Sequence, residues 1–112
     1  MEQVMELAQS LGKAIAASSQ AQKLVDARKQ LSAQPQVEQL LKDFQQQSEK
    51  IARLEKEQKP IEVEDKHKLE ELSSKLVSND LFKKFTAAQV DYVDLMRKVN
   101  DALRKELAPI ES

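Results

Sequence analysis

Glu64 and His67 stand three residues apart, the Glu-x-x-His spacing that sets a carboxylate and an imidazole on one helix face in the carboxylate di-metal sites of helical bundles. Such a site needs two of these pairs and two further inward glutamates. The chain has a single histidine, so a two-fold partner would have to supply the second copy. His67 lies between Lys66 and Lys68 in a charged stretch, which reads more simply as a solvated helix start. Ser18 and Ser19 carry nominal nucleophilic hydroxyls, but no base is near them in sequence, and helix capping accounts for both. Glu62, Glu64, Asp65, Glu70 and Glu71 form an acidic group that could attract Ca²⁺. The group lacks the glycine turn of a calcium loop and is interleaved with Lys66, Lys68 and Lys75. One glycine in the chain excludes a glycine-rich phosphate loop, and zero cysteines exclude disulfides and thiolate-held zinc or iron–sulfur centres. No metal and no cofactor is expected.

The elements that would have to position any chemistry are helices throughout. A charged fraction of 33% beside 40% hydrophobic residues fits a helical bundle or coiled coil. Gly12, Pro35, Pro60 and Pro109 are the only strong helix breakers, and they punctuate the chain. At 112 residues one domain is expected, with about five helices. Val4, Leu7, Ala8, Leu11 and Ile15 form the apolar face of a first helix spanning residues 1–17. Ser19 and Gln22 have the spacing of a capping box for a second helix, which carries Leu24 and Leu31 and stops before Pro35. Long helices are expected over 36–58 and 80–107. The first presents Val37, Leu40, Leu41, Phe44, Ile51 and Leu54, interrupted at Gln47 and Ser48; the second presents Phe82, Phe85, Ala88, Tyr92, Met96, Val99, Leu103 and Leu107. A shorter helix through Leu69, Leu72 and Leu76 lies between them, Asn79 offers an N-cap, and Pro109 is expected to end the last helix.

Phe44, Ile51, Leu54, Phe82, Phe85, Tyr92, Met96 and Val99 are therefore the expected core or subunit-interface residues, with Phe85 and Met96 among the costliest to truncate. Val4, Leu7, Leu11 and Ile15 are the expected partner face. That first helix is weakened by Gly12 and should be the least firmly anchored element. Helices this long leave apolar stripes that one small chain cannot cover, so a homodimer is expected. Net charge is −1 with no basic stripe, which speaks against direct nucleic-acid binding. No apolar run approaches the ~20 residues that span a bilayer, and the acidic start is unlike a secretory signal. A cytoplasmic protein without membrane association is expected.

The run from Leu11 to Ser18, then Leu24, Leu31 and Val37 to Gln45, has a family order that continues through Leu69 to Leu76, Asn79, Phe82, Phe85, Ala88 and Tyr92 to Leu103. In these residues the chain resembles the YlbF/YmcA family of small bacterial helical proteins, and within it the short YheA-like branch. The resemblance implies an all-α fold with a long antiparallel helical hairpin and shorter flanking helices, commonly self-associated. It also implies a non-enzymatic role. Longer relatives regulate competence, sporulation and biofilm formation through complexes that influence mRNA processing. Their iron–sulfur binding depends on cysteines, and this chain has none. The glycine usual between the long helical regions is replaced here by Lys59-Pro60. The leading reading is an adaptor or regulatory subunit with an unidentified protein partner. A holdase-like helical chaperone is the alternative, and a di-metal carboxylate enzyme the third.

Overall fold

The computed structural model describes residues Met1–Glu111 and contains five helices: α1 (Glu2–Ala17), α2 (Ser19–Ser32), α3 (Pro35–Lys56), α4 (Val63–Ser78) and α5 (Asp80–Glu111). The all-α class follows, with no strand among the described residues. The chain forms two compact units, one from residues 1–28 and 85–112, the other from 29–84.

Local chemistry sets each helix boundary. Ser18 adopts extended backbone geometry and joins α1 to α2. Its Oγ donates to the Ile15 carbonyl at 2.6 Å and accepts the Ala21 N–H at 3.2 Å, while Gln22 Nε2 donates to the Ala16 carbonyl at 2.9 Å. Orphan groups of both helix ends are thereby satisfied. The capping box expected at Ser19 is displaced by one residue: Ser18 is the cap, and Ser19 Oγ donates to the Gln20 side chain instead. Pro35 opens α3, where its missing N–H is no loss.

The end of α3 comes two residues earlier than the expected boundary at 58. Gln58 takes a left-handed conformation at φ 57°, its N–H bonds the Glu55 carbonyl, and the Lys59 N–H bonds the Leu54 carbonyl. This is the Schellman arrangement, with glutamine in the place glycine usually fills, followed by Pro60. Asn79 caps α5, its Oδ1 accepting the Phe82 N–H at 3.0 Å. Pro109 does not end α5, contrary to the expected boundary at 107; the helix continues to Glu111. A proline this close to an exposed helix end releases one carbonyl that water can satisfy, so the last turn survives.

In the 29–84 unit, α3 and α4 are joined by residues 57–62 and pack as an antiparallel hairpin. Lys50 and Gln47 of α3 reach Asp65 near the start of α4, and Phe44 lies beside Leu69 and Ser73 farther along it. Leu31, Val37, Leu72 and Leu76 are buried here, Leu76 most deeply at 2% exposure. The other unit has a smaller core: Leu24 and Ala27 of α2 and Ala88 of α5, with Phe85 and Tyr92 packed on them. The Arg28 guanidinium stands 6.0 Å from the Phe85 ring centroid, a cation–π contact.

Candidate protein interaction surface

The residue types that could do chemistry are not brought together. Glu64 and His67 are both exposed on the first turns of α4. No group of three or more His, Asp or Glu side chains converges among the described residues. The polar cluster between α3 and α4 is structural. Gln47 is buried at 5% exposure, and its Nε2 donates to the Asp65 carbonyl at 2.9 Å; Lys50 Nζ meets Asp65 Oδ1 at 3.0 Å. The Lys50 hydrogen bond, helped by Gln47, holds the Asp65 carboxyl below its ordinary range. The residue that interrupts the α3 stripe therefore fastens the first turn of α4. Its polarity is visible in the sequence, but its partner lies eighteen residues away and no spacing rule names it.

The outer faces of the helices carry solvated ion pairs. Asp94 on α5 binds Arg97 at 2.7 Å and Lys98 at 3.2 Å, and these two contacts, Arg97 first, hold its carboxyl below the usual range. The turn at 57–62 exposes Glu57, Gln58, Lys59 and Pro60, with Ile61 half-buried and Val63 exposed at the start of α4, so this end of the hairpin is mostly polar.

The apolar surface lies elsewhere, in the unit built from the two chain ends. Residues 1–14 and 100–111 are exposed without interruption. Thirteen large hydrophobic residues are exposed among the described residues, and eight of them fall in these two segments: Met1, Val4, Met5, Leu7, Leu11, Leu103, Leu107 and Ile110. Within each segment most of these residues recur at helical spacing, forming a row rather than a single scatter. Val4 and Leu7 are 67% and 63% exposed, Leu11 is 37% exposed, and Ile15 is half-buried as α1 approaches its junction with α2. Met96 and Val99 are half-buried, after which the α5 stripe runs into solvent. Tyr92, Val93, Met96 and Asn100 line a shallow open depression on the same helix.

The eight expected core or interface residues (Phe44, Ile51, Leu54, Phe82, Phe85, Tyr92, Met96 and Val99) are all half-buried. The buried positions are Ala21, Leu24, Ala27, Leu31, Val37, Gln47, Leu72, Leu76 and Ala88, so Leu76, rather than Phe85 or Met96, is the best-enclosed large side chain. Size favours the aromatic residues as core candidates, whereas enclosure here follows proximity to the hairpin and to the small alanines. The C-terminal part of α5 is legible in the sequence as a stripe. Its lack of any cover is not.

Comparison with known proteins places this geometry. A crystal structure of Bacillus subtilis RicA in complex with RicF matches with a TM-score of 0.80 at 18% identity, covering 98% of this chain and 97% of that one, which establishes a shared fold. Comparison with curated proteins gives no match. The family model described as "Control of competence regulator ComK, YlbF/YmcA" matches residues 4–108, and the chain belongs to that family.

Proposed function

We propose that this protein is a non-enzymatic adaptor or regulatory subunit that works by helix-to-helix protein contact, with Val4, Leu7, Leu11 and Ile15 of α1 as its principal binding face. The observation that carries this reading is the uninterrupted exposure of residues 1–14, an amphipathic helix whose apolar stripe meets no core. Family membership supports it, because the family is described by control of a regulator rather than by a reaction. The matching RicA structure is of a complex with a second protein, RicF, which suits a chain of this fold acting through a partner. The residues from Leu11 to Ser18 and Val37 to Gln45 support the finer placement in the short YheA-like branch. No helix among the described residues is long and apolar enough to cross a membrane. The absence of cysteine suits the reducing cytoplasm, where we place the protein.

Affinity capture from the native cell tests the reading when the wild-type chain is run beside Leu7→Asp/Leu11→Asp. Both positions are exposed, so the variant should keep the helical content and melting temperature of the wild type. A protein retained by the wild type and lost by the folded variant supports the assignment. Equal retention by both would remove α1 as the binding face.

A further inference from the structure

We propose that Ser18 is a one-residue hinge. With its backbone helical instead of extended, α1 and α2 become one continuous helix, and the apolar row of α1 lengthens to take in the exposed Val25. The inference concerns the shape of the α1 face, not what covers it, and it stands apart from the adaptor reading.

Nothing in the residues around Ser18 forbids a helix. The stretch from Lys13 to Ala21 holds no proline and no glycine, and Ala14, Ala16, Ala17 and Ala21 are the strongest helix formers there are. Ser18 departs from helical geometry in one angle only: its φ of −65° is already helical, while its ψ of 153° is not. Turning that angle restores the bonds from the N–H groups of Ser19, Gln20 and Ala21 to the carbonyls of Ile15, Ala16 and Ala17. The Gln22 N–H already bonds the Ser18 carbonyl at 3.0 Å, so the ladder resumes directly after the bend.

Side chains hold the bent form. Ser18 Oγ donates to the Ile15 carbonyl and accepts the Ala21 N–H, and Gln22 Nε2 donates to the Ala16 carbonyl. These are three of the groups that a helical Ser18 would pair with backbone, so the two forms satisfy them by different partners. No packing on the α1 side opposes the change, since α1 buries no residue.

Register supplies the second observation. Val25 follows Leu7 by eighteen residues, five full turns at 3.6 residues per turn, and so falls in line with it in a continuous helix. The row then runs from Val4 through Leu7, Leu11, Ile15 and Ser18 to Val25, at steps of three, four, four, three and seven. Val25 is 41% exposed on α2, whereas Leu24 and Ala27 face the core of this unit. Those two lie on the side opposite the lengthened row, so α2 keeps its place on the core while the row is presented away from it.

Because the native chain has no cysteine, nitroxide labels on a Gln9→Cys/Asp26→Cys chain report the hinge at two exposed positions. Seventeen residues of unbroken helix separate them by about 26 Å along the axis, and a bend at Ser18 gives a second, shorter distance. The wild type should be mainly bent. Ser18→Ala removes both cap contacts and favours helix, so it should raise the ratio of long to short distance about ten-fold. Ser18→Asp keeps an acceptor at the cap and should not raise it. In unlabelled chains, the Cα chemical shift of residue 18 should become helical, and the Ser19 and Gln20 amides should exchange more slowly, in Ser18→Ala alone. An unchanged ratio in Ser18→Ala, an equal rise in Ser18→Asp, or loss of helix in α1 of Ser18→Ala would each overturn the proposal. None of these results bears on whether a partner is captured through Leu7 and Leu11, which the affinity experiment decides separately.

Discussion

In the 29–84 unit, α3 turns back through six residues and α4 packs along it, so the two helices close on each other and Val37, Leu72 and Leu76 are buried. In the unit made from the chain ends, the stripes of α1 and of α5 beyond Val99 run past the small core around Leu24, Ala27 and Ala88 and end in water. Both regions are amphipathic helix. They differ in whether a neighbour is supplied: the six-residue turn makes an antiparallel partner nearly obligatory for α3, and no described element covers residues 1–14 or 100–111. Burial thus belongs to the pair of helices rather than to the stripe.

The comparison breaks most sharply at its two extremes. Leu76→Ala should destabilise the fold by about 2–5 kcal/mol, the usual range for a buried leucine, whereas Leu7→Ala should fall within about 0.5 kcal/mol. Urea unfolding of both variants checks this; comparable losses would mean that α1 is packed as firmly as the hairpin. Gln47→Ala comes next. Loss of the buried donor to the Asp65 carbonyl should cost about 1–2 kcal/mol, read by urea denaturation.

Gly12 sharpens the other side. A Cβ added there meets nothing within 4 Å in the single chain, so Gly12→Ala should strengthen α1 by up to about 1 kcal/mol of helix propensity. Slower amide exchange within α1 would show it.

The smallest effect is that of pH. The Asp65 carboxyl is held below its ordinary pKa by Lys50 and Gln47, so its contribution to stability is complete above the unfolded-state pKa near 4 and is lost as pH falls through the lower folded value. Asp65→Asn should flatten the acid limb of the stability profile below about pH 4 and leave the profile above it parallel to wild type. An unchanged acid limb would place the clamp's strength in the Gln47 contact to the backbone alone.

Much of this architecture is legible in the residues. The five helices, the Pro35 start, the Asn79 cap and the Asp94–Lys98 pair follow from local rules that need no knowledge of the fold. What escapes them is set by partners distant in sequence or by a one-residue choice between similar groups. Ser18 and Ser19 are chemically identical, and only the backbone decides which one caps. Gln47 interrupts a stripe until the first turn of α4 arrives to use it. Leu107 and Leu72 have the same periodicity, yet Leu72 is buried and Leu107 is not, because only one has a helix opposite. The candidate surface is half visible in the sequence: the α1 face stands out by its spacing, while its counterpart on α5 has the pattern of ordinary core.

Hydrogen exchange of the dilute chain tests the central claim most directly, that the hairpin closes on itself while the apolar rows of α1 and of the end of α5 are left bare. Amides of α1 from Leu7 to Ile15 and of α5 from Leu103 to Leu107 should exchange quickly, while Leu69 to Val77 of α4 stays protected. Protection of Leu7 to Ile15 equal to that of α4 would contradict the account.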